Sequence, residues 1–443
     1  MNAVCAGATQ NEVRIWASDW AGTQLPRVAV SDAGGNAVPS PPSWHALPTP
    51  PGANNRYGVF TLGQLVPGAA YSVTLRDVTG EQIMLNTRTL PAQLPSQGIS
   101  LLLCSCYYEG DDDGELAATL KDLPAEERPA LKLLVGDQVY TDVPGFGLFA
   151  GSGVKEYTER YEQYWNDVHY QEFLRHGPNF FTCDDHEWWN NSPEHQFWLS
   201  RSNDANWQNT LAAGKQVYAT YQVQPNQHGG FWQQVQIGSV GIFLADTRSE
   251  RKRRSQDDRR VMSAPQRAAL QAWAANLAGP GFLVLGQPLF GSRGDWKDWN
   301  LPDYPDDYRL FWDLLETSAH DIVILTGDIH TGRLAFSPLA NGLAARPRIL
   351  EFTASPMALV PPWPLWTKEP GVPDEIEVPA GHSKRRVELR FGTGVRNFGI
   401  IRLRPAAMGG VDAQFSLWDL KRRRLAKWGD GVCQSNASEF ILH

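Results

Sequence analysis

Cysteine is scarce in this chain. Five residues, Cys5, Cys104, Cys106, Cys183 and Cys433, are scattered over 443 positions without a CxxC pair. An odd, dispersed set excludes the dense disulfide framework of a small secreted domain, and the missing CxxC argues against a structural zinc finger, so free thiols are expected. Long apolar runs are missing too. None approaches the ~20 residues of a membrane-spanning helix, and the opening stretch MNAVCAGATQNEVRIW has neither the basic region nor the hydrophobic core of a signal peptide. The chain as it stands reads as cytoplasmic, with no membrane span. Positive charge is not in excess: 40 Lys and Arg against 48 Asp and Glu leave a formal charge of -8, which is not the footprint of a nucleic-acid or anionic-membrane binder. The one basic run, RKRRSQDDRR at 251–260, mixes both signs and reads as a solvated loop. There is no internal repeat or low-complexity tract, and nothing in the sequence speaks to oligomeric state.

The length and a hydrophobic content of 42% fit a globular chain of two or three domains. Residues 1–93 alternate in the β manner, through VRIWASDW, RVAVSD, YGVFTLGQL and AYSVTLRD, between clusters of Gly, Pro and Asn. A small β-sandwich domain is expected there. The segment GVFTLGQLVPGAAYSVTLRD resembles one corner of a fibronectin type III domain, through Leu65, Pro67, Gly68 and Tyr71. We expect this domain to act as a spacer without chemistry of its own. Composition marks 94–98, within PAQLPSQG, as a linker, which leaves 99–443 as the second domain.

Three runs in that second part share one form. LKLLVGDQVY (131–140), NFFTCDDHE (179–187) and IVILTGDIH (322–330) each open as a short apolar strand and end in Asp with Tyr or His. Short apolar runs of this kind suit strands buried on both faces, and the carboxyl ends of such strands are where open α/β sheets bind ligands. Between them the pattern predicts helices over 115–123, around 155–164, over 263–277 and around 308–315, the third announced by a capping box of Ser263 with Gln266. FWQQVQIGSVGIFLAD predicts a hairpin turning at Gly238 and Ser239. The span 155–221 is rich in Tyr and Trp, most of them expected in the core, with a few near Trp188 candidates for the wall of a substrate pocket. Strand–helix alternation followed by the strands RILEFTAS, NFGIIRLR and AQFSLWDL predicts a layered α/β sandwich.

A hard cation needs several anionic oxygens, which Asp137, Asp185 and Asp328 can supply, while Cys106, Tyr140 and His330 offer softer or more directional ligands. Cys106 or Tyr140 taken alone would read as an ordinary buried group. It is the recurrence of Asp and His at three strand ends that points to a metal-dependent hydrolase, in which two ions ~3.5–4 Å apart can activate water. His186, beside Asp185, is the candidate proton donor to the leaving oxygen.

The set of SCY at Cys106, GDQVY at Asp137, DDHEWWNN at 184–191, DTR at 246–248 and GDIH at 328–330 resembles the alkaline phosphatase D (PhoD-like) branch of the metallophosphoesterases. The resemblance implies a four-layer αββα sandwich behind the β-sandwich, and a phosphoesterase that cleaves phosphate diesters or monoesters by attack of metal-bound hydroxide. It implies Asp137 as a bridging ligand, Cys106, Tyr140 and His330 around Fe(III), Asp185 and Asp328 around Ca(II), and His186 as general acid or transition-state stabiliser. Asn190 becomes a further calcium or substrate contact, and Arg248 either touches phosphate or braces its loop. Zn and Mn are alternatives for the ions. Related members of that family are usually exported. Two other functions fit the same residues: a phosphotriesterase or phospholipase-type activity, and a non-catalytic, metal-stabilised binding protein.

Overall fold

The computed structural model describes residues 1–49, 56–143, 153–196, 199–222, 230–294, 299–338, 348–358, 372–376, 378, 385–420, 424–425 and 437–443. Trp198, Trp296 and Cys433 lie outside the described residues. Seven strands come first: β1 (Asn2–Ala8), β2 (Val13–Ser18), β3 (Arg27–Asp32), β4 (Pro42–Ala46), β5 (Tyr57–Leu62), β6 (Ala70–Arg76) and β7 (Gln82–Arg88). They pair as two antiparallel sheets, in the orders β1-β2-β5-β4 and β3-β6-β7. In β6 and β7 every second side chain is buried, the period that puts one face of a strand on a core. The fibronectin-like corner closes as its residues predict. Gly68 turns the chain at a φ of +73°, and the Tyr71 hydroxyl accepts the Val66 N–H at 2.8 Å, which is a tyrosine corner.

This sandwich is fused to the larger part of the chain. Trp16 Nε1 donates to the Thr220 carbonyl at 2.8 Å, and Cys5, Ile15, Phe60 and Leu85 share one apolar cluster with the interior strands of that larger part. Each fully buried side chain of this size contributes ~1.5–3 kcal/mol, so the junction is part of the core.

Beyond the junction the chain forms β8 (Ile99–Cys104), β9 (Leu131–Val135), β10 (Asn179–Thr182), β11 (Gln233–Ile237), β12 (Val240–Leu244), β13 (Gly281–Val284), β14 (Ile322–Thr326), β15 (Gly332–Pro338) and β16 (Arg348–Thr353). After a two-stranded ribbon of β17 (Glu375–Ile376) and β18 (Arg385–Arg386) come β19 (Glu388–Thr393), β20 (Asn397–Pro405), β21 (Val411–Asp419), β22 (Arg424–Leu425) and β23 (Ala437–Leu442). The helices are α1 (Glu115–Asp122), α2 (Val154–Asn166), α3 (Val168–Leu174), α4 (Trp207–Tyr221), α5 (Ala264–Ala275) and α6 (Pro305–Thr317). One seven-stranded sheet runs β10-β9-β8-β20-β21-β22 with β23 also on β21; the other runs β11-β12-β13-β14-β16-β15-β19.

The apolar runs explain how these sheets stack. In β8, Leu101 and Leu103 face the shared interior while Leu102 and Cys104 face a cluster formed with α2 and α3. In β14, Val323 and Leu325 face that same interior while Ile322 and Ile324 face a cluster formed with α5 and α6. Helices therefore cover the outer face of each sheet, and the four-layer αββα sandwich expected from the sequence is the fold.

One local expectation is corrected. Ser263 precedes α5 but makes no side-chain cap, and Gln266 turns instead to the backbone of Asp246, accepting its N–H at 2.7 Å and donating to its carbonyl at 2.8 Å. A buried backbone pair with no other partner outcompetes a helix end that water can solvate. Trp188 and Trp189 are fully buried, and Trp188 packs on Tyr218 in the core.

Candidate metal centre

In the first sheet β8, β9 and β10 run parallel; in the second β12, β13, β14 and β16 do. The loops that leave their carboxyl ends meet at one place. Glycine makes the approach close enough: a Cβ on Gly136 would lie 2.5 Å from the Asp184 Cβ, and one on Gly327 would lie 2.5 Å from the Ser105 side chain. Immediately after these strands the chain turns through left-handed conformations at residues that are not glycine. Cys106, Asp137, Asp328 and His330 have φ of 58°, 53°, 69° and 55°, and Asn191 follows at 59°. Such φ costs ~1–2 kcal/mol per residue, and it swings each side chain off the strand axis toward a common centre.

Asp137, Asp184, Asp185 and Asp328 each bring a carboxylate oxygen within 4.8 Å of the others, and Asp137, Asp185 and His186 form an overlapping group with the same spacing. Cys106 Sγ lies 3.5 Å from Asp137 Oδ2, and the Tyr140 hydroxyl lies 3.4 Å from His330 Nε2. The Tyr140 ring also packs on the His186 imidazole, with centroids 4.2 Å apart. Thus Cys106, Asp137, Tyr140, Asp185, His186, Asp328 and His330, drawn from distant stretches of sequence, are brought together. Asn190 joins them through its backbone, whose N–H donates to Asp142 Oδ2 at 2.7 Å. Arg248 is fully buried; its Nε donates to Asp184 Oδ1 at 2.7 Å and its Nη1 to the Ser192 carbonyl at 2.9 Å. That geometry braces the loop.

Four further residues are assigned no role from the sequence, although Asp184 and Glu187 lie within the DDHEWWNN run. Glu187 is fully buried and accepts the N–H groups of Asp137, Gln138 and Asp184 at 2.9, 2.7 and 2.8 Å, tying the loops after β9 and β10 to one carboxylate. Asp142 lies 2.7 Å from His186 Nδ1. Asp184 enters the carboxylate cluster beside Arg248. Gln287 holds Asp328 Oδ2 at 3.4 Å while accepting from Arg251 at 2.7 Å. Asp184 and Glu187 left a signal through their place in the DDHE run beside Asp185 and His186, whereas Asp142 and Gln287 left none.

Electrostatics at the centre call for added positive charge. Burial, reinforced by Asp185, pushes the Asp137 carboxyl well above the usual range, and burial with Asp137 and Asp328 does the same to the Cys106 thiol. Burial also raises Asp184, against the pull of Arg248. Burial alone would lower the His186 imidazole, but Asp142, Asp185 and Asp137 outweigh it and hold the ring well above its ordinary value. Asp184 Oδ2 and Asp185 Oδ1 are buried without a hydrogen-bond partner. Orphaned carboxylate oxygens cost several kcal/mol unless a cation compensates them. The donor set therefore fits metal ions: hard oxygens with a thiol, a phenol and imidazoles at hand.

A search of curated proteins finds no match. Among solved structures, one described as the structure of PhoD matches with a TM-score of 0.65 at 14% identity, covering 98% of this chain and 92% of that one. The purple acid phosphatase PPD1 from yellow lupin (Lupinus luteus) seeds matches with a TM-score of 0.62 at 12% identity, covering 99% of this chain and 74% of that one. At these identities the likeness speaks to the fold, which it shares over nearly all of the chain. A family model described as PhoD-like phosphatase matches residues 103–359, more than half of the 443 and all of the strand ends that build the centre, and this chain belongs to the PhoD-like phosphatase family.

Proposed function

We propose that the chain is a metal-dependent phosphoesterase acting on phosphate monoesters, diesters or both. The observation that carries this reading is the cluster of four carboxylates with two orphaned oxygens, set beside a His186–Asp142 pair. Metal ions bound there supply Lewis acidity, lower the pKa of water toward ~7 and neutralise charge on phosphoryl oxygens. In the proposal Asp137 would be shared between two ions. Cys106, Tyr140 and His330 would hold the first, Fe(III), and Asp185 and Asp328 the second, Ca(II), with Zn or Mn as alternatives.

His186 is the proton donor. Its Nδ1–H donates to Asp142, which fixes the tautomer and leaves Nε2 for the leaving-group oxygen. Arg248 and Glu187 position ligands and touch no substrate. Asn190 is the remaining candidate for a substrate or second-calcium contact. The buried Trp188 and Trp189 offer no apolar wall that would favour bulky triesters over smaller esters.

Elemental mass spectrometry of protein purified without chelators, with parallel rates on an aryl phosphate monoester, diester and triester, tests the reading. Iron with calcium, hydrolysis of the mono- or diester, and loss of both metal and turnover in Asp137→Ala are expected. Metal-loaded protein that hydrolyses none of the three esters would sink the proposal in favour of a binding protein.

A further inference from the structure

At the amino end of β9, away from the metal centre, a cavity of about 410 Å³ opens where the β3-β6-β7 sheet meets α1 and α3. Lys132 on its lining precedes the carboxyl end of β9 at Val135 by three residues of extended strand, about 10 Å, with the turn to Asp137 beyond. None of the proposed metal ligands lines it. The N-terminal sandwich forms one wall, and that wall is locked: Gly177 N–H donates to the Asn86 carbonyl at 2.7 Å and Asn86 N–H to the Arg175 carbonyl at 3.1 Å.

The lining is rich in cations. Arg88, Lys121, Arg128, Lys132 and His176 face one acid, Glu172. Lys121 and His176 pair with that acid at 3.1 and 3.3 Å. The other three pair with no carboxylate among the described residues and satisfy themselves on backbone carbonyls. Arg88 Nη2 donates to Gly68 at 3.0 Å, Arg128 donates to Leu123 at 3.2 Å and Lys121 at 3.1 Å, and Lys132 Nζ donates to Phe173 and His176. Arg88 Nε is buried with no acceptor. A guanidinium left with an unused buried donor is half of a charge-assisted hydrogen bond. Much of the remaining wall is apolar, with Ala117 and Leu120 of α1 opposite Phe173. The volume falls within the ~300–1,000 Å³ of small-molecule sites, which favour junctions between domains.

We propose that this cavity is a second ligand site, distinct from the metal centre, for a small organic anion. Its apolar body rests against α1 and Phe173, and its carboxylate or phosphate head meets Arg88 and Arg128. The N-terminal sandwich then has a binding role, because Arg88 comes from it.

Titration calorimetry on the full, metal-loaded chain tests this with 1-naphthoate, 1-naphthylphosphonate, the neutral 1-naphthylmethanol and inorganic phosphate. At least one naphthyl anion should bind about tenfold more tightly than the alcohol or phosphate, and the better of the two identifies the head group. Arg88→Gln removes the donor and Ala117→Trp fills the space. Each should weaken that binding about tenfold while leaving metal content and ester hydrolysis unchanged. The proposal is overturned if neither anion binds, if the alcohol or inorganic phosphate binds as tightly, or if both variants bind like the parent chain.

Discussion

Replacing Glu187 by Gln tests whether the metal centre is held from behind. The Glu187 carboxylate takes the N–H groups of Asp137 and Asp184 on Oε2 and that of Gln138 on Oε1, all within 2.9 Å. A glutamine keeps one acceptor oxygen. With that oxygen facing Asp137 and Asp184, its NH2 meets the Gln138 N–H and the Gln222 amide, which now lies 3.5 Å from Oε1. One charge-assisted bond worth ~1.5–3 kcal/mol is lost, a buried N–H is stranded at ~1–3 kcal/mol, and the two remaining bonds weaken. Against this stands the desolvation of a carboxylate whose pKa burial already raises to about 7. The net loss should be about 3 kcal/mol, confined to the loops after β9 and β10. Hydrogen exchange resolves such local opening. Peptides spanning 136–140 and 183–187 should exchange roughly a hundredfold faster in Glu187→Gln, while β12 and β13 keep their protection. Unchanged exchange in those two peptides would refute the role of Glu187 as the tie between ligand loops.

Asp142→Asn should lower kcat by about a hundredfold at unchanged metal content, because His186 loses the acceptor that sets its tautomer; a wild-type kcat would remove Asp142 from the mechanism. Burial lowers the Lys132 ammonium from 10.5 to about 8, so between those values the unfolded chain holds a proton that the folded chain has released. Stability from this group is therefore smallest below pH 8 and grows as pH rises, by at most about 1.4 kcal/mol per pH unit. The urea midpoint of the wild type relative to Lys132→Met should climb between pH 8 and pH 10, and a constant gap would contradict the assignment. Tyr71→Phe should cost about 1 kcal/mol in urea unfolding, with a null effect arguing that the Val66 N–H finds water instead.

What could be read from sequence was what is local. A five-residue strand with four apolar side chains followed by Gly-Asp is contiguous, so β9 with Asp137 and β14 with Asp328 were visible as units. The hairpin at Gly238 was visible for the same reason, and Ile237 does pair with Val240 across it. Partners chosen by the fold were not visible. Glu187 answers to N–H groups 49 and 50 residues away, Arg248 to an aspartate 64 residues away, and no spacing rule links them. The pattern Ser263 with Gln266 misled for the related reason that a tertiary partner, Asp246, competed for the glutamine. The strands of the N-terminal sandwich were legible from alternation, but its docking was not, since Trp16 reads as a core residue whichever core it enters.

The centre combines two costs that a fold selected for stability alone would avoid. Four carboxylates crowd within 4.8 Å, and two of them, Asp137 and Asp328, sit on left-handed backbone, as do the neighbouring Cys106 and His330. Neither is stabilising by itself: the turns cost ~1–2 kcal/mol each, and like charges in a buried site oppose one another. Both persist because the surroundings over-determine them. Gly136 and Gly327 allow backbone contact that no other residue could, Glu187 pins two loops, and Arg248 neutralises one carboxylate without entering the cluster. The compensation is incomplete by design of the donor set, for Asp184 Oδ2 and Asp185 Oδ1 still lack partners. A protein that holds anionic oxygens together with rigid second contacts, and leaves two of them unsatisfied, is arranged so that the cations proposed for this centre would add its last increment of stability.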